Sequence, residues 1–220
     1  MLTRGAGIVE TRYKQLLDTG ALVNEHNGDY RSALHMASYC GHEKVKQLLE
    51  VKANACSNES PYGQTPLSRA AEGGNVAIVQ LLLEQEGVDA NSKDRNDWTP
   101  LPWASEKGHK VVAKLLLKHG GVDTNAKDKN GATPLSRAAS RGQKAVVQLL
   151  DQEGVDADST DNDGMTALSL AAITVHAATV KLLLEHKYAK VNINSKDDNG
   201  ETLLFLATRM VRLIETSGKL

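Results

Sequence analysis

Seven histidines, two cysteines and a spread of acidic residues are the side chains of this 220-residue sequence that could ligate metal, move protons or attack a carbonyl. The histidines are His26, His35, His42, His109, His119, His176 and His186. No pair of them has zinc-site spacing, and Cys40 and Cys56 supply no matching thiolates. Asp161-Asn162-Asp163-Gly164 opens like a calcium loop, but the twelfth position is Ala172, where a bidentate glutamate would be needed. The sequence contains no nucleophile elbow, phosphate-binding loop or dinucleotide fingerprint, and no cysteine–histidine arrangement stands out. Asn58-Glu59-Ser60 is a lone glycosylation sequon, followed by Pro61, and matters only in a secreted protein. Reactive residue types are present, but their spacings are not those of a site. No cofactor, no metal and no enzymatic activity is expected.

Charge names no ligand either. Lysine and arginine number 26 against 27 acidic residues, a formal net charge of −1, so neither nucleic acid nor an anionic membrane is expected as a partner. The first residues, Met1 to Gly7, lack the apolar stretch of a signal peptide, and no apolar run approaches the roughly 20 residues that span a bilayer. With Cys40 and Cys56 read as free thiols, the expected location is cytoplasmic or nuclear.

The strongest pattern is internal repetition. Thr65-Pro66-Leu67-Ser68-Arg69-Ala70-Ala71 returns as Thr99-Pro100-Leu101-Pro102-Trp103-Ala104-Ser105, as Thr133-Pro134-Leu135-Ser136-Arg137-Ala138-Ala139 and, more loosely, from Thr166 to Ala172. The threonines step by 34, 34 and 33 residues. Threonine is a good helix N-cap and proline suits the first helical position, so each block starts a short helix. Small alanines follow where helices approach closely, and Gly41, Gly74, Gly108 and Gly142 supply the left-handed backbone that ends a helix. A second apolar stretch, such as Val76–Leu83 or Val111–Leu117, has the spacing of a second helix. Asp94-Arg95-Asn96-Asp97, Asp128-Lys129-Asn130-Gly131, Asp161-Asn162-Asp163-Gly164 and Asp197-Asp198-Asn199-Gly200 carry the turn chemistry of a β-hairpin between units.

A Thr-Pro-Leu block at this period resembles the ankyrin repeat family, over about residues 8 to 215, and is similar to the arrays of fungal ankyrin repeat proteins. The resemblance implies an all-α solenoid of stacked helix-turn-helix units with projecting β-hairpins. One such domain is expected over 1–220, with a partial unit at 8–26, full units at about 27–59, 60–93, 94–127, 128–160 and 161–196, and a partial unit at 197–220. His42, His109, His119 and His186 fall where the family usually has a histidine, and so have structural roles.

Departures from the family pattern carry expectations of their own. The histidine after Thr-Pro-Leu survives only as His35; Ser68, Pro102, Ser136, Ser169 and Phe205 replace it, and the bond between repeats should shorten or disappear there. Pro102 falls in the first helical turn and should be tolerated. Val175 stands where the helix-ending glycine belongs, so an altered turn is expected around Thr174–Ala177. The first partial unit offers one helix, from Val9 to Leu17. Phe205, Met210, Val211 and Leu213 crowd the last unit where a polar cap is usual, so self-association through the C-terminal end is expected, or an excised fragment.

The resemblance places partners on the concave side, against hairpin tips and the exposed face of each first helix. The hairpin positions are Asp29, Arg31, Pro61, Tyr62, Gln64, Arg95, Asn96, Trp98, Lys129, Asn130, Asn162, Asp163 and Met165. The helix positions are Tyr39, Cys40, Glu72, Glu106, Lys107, Ser140, Arg141, Ile173 and Thr174. The chain has eight aromatics (two Trp, five Tyr, one Phe), and three of them, Tyr39, Tyr62 and Trp98, fall on this set with Trp103 just behind. Aromatics and arginines dominate binding energy. The residue before each alanine pair forms a ladder, Met36, Arg69, Trp103, Arg137, Leu170 and Leu206. Stacking would set the Trp103 indole between Arg69 and Arg137, or leave only the arginine stems packed. The expected partner-binding set is Tyr39, Tyr62, Arg69, Arg95, Trp98, Trp103, Glu106, Arg137 and Arg141. The leading function is a non-catalytic scaffold for a protein partner of unknown identity. Two alternatives stay open: a small-molecule or enzymatic groove beside Trp103, with Glu106, Arg69 or Arg137 as charged groups, and a repeat segment of a larger signalling protein.

Overall fold

The computed structural model of the protein describes residues 32–41, 45–50, 53–58, 60, 62–151, 154–185, 192–202 and 204–209. Among these the chain is helical. The helices are α1 (Ala33–Cys40), α2 (Val45–Glu50), α3 (Pro66–Gly73), α4 (Val76–Leu83), α5 (Pro100–Lys107), α6 (Lys110–Lys118), α7 (Pro134–Ser140), α8 (Lys144–Leu150), α9 (Ala167–Ile173) and α10 (Ala177–Leu184). A further helix, α11, spans residues 204–209. The helix expected over Val9–Leu17, the histidines His26, His42 and His186, and the surface positions Asp29, Arg31 and Pro61 lie outside the described residues.

Side-chain capping starts the first helices α3, α7 and α9. The hydroxyls of Thr65, Thr133 and Thr166 accept from the backbone N–H groups of Ser68, Ser136 and Ser169, and at Thr133 the Ser136 hydroxyl returns a bond to complete a capping box. Helix α5 forms across Pro102, as its first-turn position implies. Its cap is incomplete, because the residue three beyond Thr99 is that proline and has no N–H to give. The Thr99 hydroxyl is buried without a hydrogen-bond partner.

The turn after α9 corrects an expectation. Gly142 closes α7 at φ 67°, its N–H reaching Ala139 O at 3.1 Å and the next N–H reaching Ala138 O at 2.9 Å. Val175 takes the same conformation at φ 61°, with bonds to Ala172 O at 3.1 Å and from His176 N–H to Ala171 O at 2.9 Å. The turn is therefore unaltered, and the valine is strained in its place. Packing of the helices on either side fixes the turn more firmly than a left-handed β-branched residue, costing about 1–2 kcal/mol, can disturb it.

Between helix pairs, the expected β-hairpins are tight turns pinned by their first side chain. Asp94, Asp128, Asp161 and Asp197 each accept two backbone N–H bonds on Oδ1, from the residues two and four ahead. An isolated antiparallel bridge joins Lys196 to Thr202. Asp97 supplies the positive φ, 61°, that Gly131 supplies one turn later.

The chain divides into two compact units, Met1–Ala104 with Val111–Val122, and Ser105–Lys110 with Asp123–Leu220. In the first, α1 packs on α3, and each of these pairs with its own second helix, α2 or α4. Leu34, Leu48, Leu67, Leu82, Leu101 and Leu116 form its interior, fully buried or nearly so. In the second, α7 packs on α9 and α8 on α10, over Leu135, Leu150, Leu168 and Leu183. His35 ties α1 to the following turn: its Nε2 faces Ser57 O at 3.0 Å and Gln64 O at 2.9 Å, which leaves Nδ1 to accept from the Ser32 hydroxyl at 2.7 Å. The hydroxyls of Ser68, Ser136 and Ser169 bond within their own first turns, and among the described residues none of them reaches the next repeat.

Candidate partner-binding face

In the first unit the ladder position and the turn tips come together around two tyrosines. Tyr39, in the last turn of α1, is 42% exposed; Tyr62, in the turn before α3, is 55% exposed. The Arg69 guanidinium lies 4.0 Å from the Tyr39 ring centroid, over its face. It is held there from α3 itself: Nη1 is 2.7 Å from Glu72 Oε2, one helical turn on, and Gln64 Nε2 donates to the same oxygen at 3.2 Å. Arg69 is only 8% exposed, so this ion pair sits largely out of water. Arg95 projects from the next turn, exposed, and its backbone N–H donates to Tyr62 O at 2.8 Å. That bond fixes the two tips against each other.

The tryptophans do something else. Trp98, expected on the surface, is 9% exposed, and its ring centroid lies 4.4 Å from that of Trp103 at a tilt of 46°. The Trp103 indole N–H donates to Asp94 Oδ2 at 3.1 Å. Gln64 and Met165, also expected at the surface, are buried for the same reason as Trp98. Each follows the positive-φ residue of its turn, which directs the next side chain inward beneath the pinned loop. Burial raises the Asp94 carboxyl above the ordinary 3.8. The N–H groups of Asn96, Trp98 and the Trp103 indole pull against the rise, and neighbouring Asp97 adds to it.

In the second unit the same frame holds an ion pair. Arg137 Nε donates to Asp128 Oδ2 at 2.9 Å and Nη2 bonds the same oxygen. Arg141, 61% exposed at its side chain, reaches Glu106 at 3.1 Å, whose backbone carbonyl accepts from Gln143. Arg69 thus meets Tyr39 and Glu72, Arg137 meets Asp128, and Trp103 meets Asp94 and Trp98. The reason is the residue nine positions before each ladder residue. It is an aspartate before Trp103 and Arg137 but Ser60 before Arg69, which therefore finds its carboxylate on its own helix. Reading the ladder along one stack missed Asp94, Asp128, Glu72 and Gln64; the recurring offset of nine is the signal that finds them.

Among the described residues, no three His, Cys, Asp or Glu side chains are placed to hold a metal ion, and no helix is long and apolar enough to cross a membrane. Several charged groups of the face pair with one another, Arg69 with Glu72, Arg137 with Asp128 and Arg141 with Glu106.

Comparison with known proteins agrees with this architecture. The family model for ankyrin repeats (3 copies) matches residues 10–94, 77–161 and 138–216. The ankyrin repeat domain of Bcl-3 superposes with a TM-score of 0.74 at 23% identity, covering 96% of this chain and 95% of that one. Alpha-latrotoxin-Lg1a of Latrodectus geometricus is 31% identical over 38% of this chain, and Protein fem-1 homolog A-like of Mus musculus is 33% identical over 33%. The 2-5A-dependent ribonuclease of Mus musculus is 43% identical over 24%. The matched stretches take in 6%, 11% and 7% of those three relatives' own lengths. With all but its first and last few residues matched by the repeat model and the stacked helix pairs in place, the chain belongs to the ankyrin repeat family.

Proposed function

We propose that the chain is a non-catalytic interaction module that holds a protein partner on the turn tips and first-helix face of its first unit. Tyr39 and Tyr62 are the anchors, and Arg95 is an exposed cation whose backbone bonds to Tyr62. The observation that carries this reading is the Arg69–Tyr39 pair: a solvent-facing ring held in place by a buried guanidinium that is itself locked by Glu72 and Gln64. A rigid tyrosine offers a large contact area at little entropic cost on binding. Trp98, being buried, supports the turn from beneath and leaves the contact to the tyrosines. Affinity capture with the intact chain, followed by titration of the retained protein, tests this. Tyr39→Ala and Tyr62→Ala should each weaken binding, while a variant remote from the face, such as Lys114→Ala, should not.

The groove imagined beside Trp103 draws no support from its surroundings, since the indole is engaged by Asp94 and Trp98. The reading as a repeat segment of a larger signalling protein fits relatives of which the matched stretch is a small part. A longer reading frame encoding a further domain would establish it.

A further inference from the structure

Three asparagines in the sequence precede a glycine: Asn27, Asn130 and Asn199. Such a pair carries chemistry of its own, because glycine has no side chain to hinder attack by its backbone nitrogen on the asparagine side-chain carbonyl. Asn27 lies outside the described residues. Asn130 and Asn199 hold the same place in two turns of the second unit, those opened by Asp128 and Asp197, and both are exposed. In each turn the glycine N–H is held by the opening aspartate, Gly131 donating to Asp128 O at 2.8 Å and Gly200 to Asp197 O at 2.9 Å. That protection is the same at both.

Their surroundings differ. The turn opened by Asp161 lies against the first of them: Asn162 N–H donates to Asn130 O at 2.9 Å, and Asn162 Nδ2 to Lys129 O at 2.8 Å. Gly131 is buried, and a Cβ built on it would lie 2.6 Å from Asn162 Oδ1. Ring closure at Asn130 swings its carbonyl, so it breaks the bond from Asn162 and needs room where Asn162 sits. Gly200 is exposed instead, and a Cβ built on it would meet nothing within 4 Å. Among the described residues no backbone N–H reaches Asn199 O.

We propose that Asn199 is a site of spontaneous deamidation, and that the turn packed against Asn130 shields that residue from the same reaction. The Gly200 nitrogen gives up its proton and attacks Asn199 Cγ. The N–Cγ bond forms, the Cγ–Nδ2 bond breaks, and Nδ2 leaves as ammonia with that proton, closing a succinimide ring. Water then opens the ring, its hydroxyl joining the carbonyl it attacks and its proton returning to the nitrogen. Cleavage of the N–Cγ bond gives aspartate, and cleavage between the nitrogen and the main-chain carbonyl gives isoaspartate. Either product adds a negative charge beside Asp197 and Asp198. Isoaspartate also lengthens the main chain between the N–H groups of Asn199 and Glu201, which Asp197 Oδ1 holds together at 3.0 and 2.8 Å. The reaction therefore loosens the turn that leads into α11.

Incubation of the intact chain in mildly alkaline buffer tests this, followed by peptide mapping with mass spectrometry that separates asparagine, aspartate and isoaspartate at each position. Asn199 should convert at least about tenfold faster than Asn130, the difference expected when closure at one site must first break a further hydrogen bond or two. In denaturant the two rates should come together, because the protection of Asn130 belongs to the fold. An Asn199 that stays intact in the folded chain, or converts no faster than Asn130, would overturn the proposal. So would a preference for Asn199 that persists undiminished in denaturant, since neighbouring residues and not the packed turn would then set it.

Discussion

Asp94 and Asp128 stand 34 residues apart at the start of turns with the same hydrogen bonds, and each offers its Oδ2 to the residue nine positions on. In the first unit that residue is Trp103, which stacks on Trp98 and makes a buried, aromatic corner. In the second it is Arg137, with the small Ala132 in place of Trp98, and the corner is ionic. One backbone frame therefore supports two chemistries, chosen by two side chains, and the frame itself carries no binding preference. The exposed Tyr39 and Tyr62 are what led us to propose the first unit as the place for a partner.

The comparison can be broken at its most buried member. Trp98→Ala, which gives the first corner the small residue found in the second, should cost about 3–5 kcal/mol by lost burial and a cavity beside Trp103. Chemical denaturation measures it, and a loss under 1 kcal/mol would show the ring to be dispensable to the corner. Next in size is the ionic corner. Asp128→Ala should cost about 2–3 kcal/mol, since it removes both the turn's acceptor and the carboxylate facing a mostly buried guanidinium. Asp94→Ala should cost less, about 1–2 kcal/mol, because its removal also relieves the penalty of burying an unpaired charge. An equal or reversed order in the same denaturation series would contradict the distinction drawn between the corners.

A smaller, opposite effect is expected at the cap of α5. Pro102→Ser gives the buried Thr99 hydroxyl the N–H that Thr133 has from Ser136, and should raise stability by about 1 kcal/mol. Thermal melting that is unchanged or lowered would mean the orphaned hydroxyl is not what limits that cap. The smallest effect is on titration. Asp94 has a folded-state pKa above its unfolded value of 3.8, so the native state takes up this proton first on acidification. The burial penalty is present above the folded-state value and is lost as pH falls through it. This one group therefore favours the fold more as pH drops toward 3.8. The carboxyl carbon resonance of Asp94 should show a midpoint above 3.8, and a midpoint at or below it would contradict the assignment.

The fold was largely legible in the sequence because its signals are local. Threonine before proline, and glycine after an alanine pair, each satisfy a backbone need within one turn, and Pro102 was readable for the same reason. Val175 was half legible: its strain followed from its type, but the rigidity of the turn came from packing that no local pattern records. The face was harder to read. Tyr39 and Tyr62 lie at the surface as their positions suggested, whereas Trp98 points inward because the pinned turn reverses the residue after its positive-φ member. The partners of Arg69, Trp103 and Arg137 depend on carboxylates from a turn or from the same helix, so neighbours along the ladder did not reveal them.

The central claim is that Tyr39 and Tyr62, fixed by Arg69 and by the Tyr62–Arg95 turn contact, carry partner binding. The most direct test is the affinity of the captured protein for the Tyr39→Ala/Tyr62→Ala double variant, measured by calorimetric titration alongside its melting curve. The expected result is a loss of at least about tenfold in affinity with melting unchanged. An affinity equal to that of the wild type, in a variant that folds equally well, would contradict it.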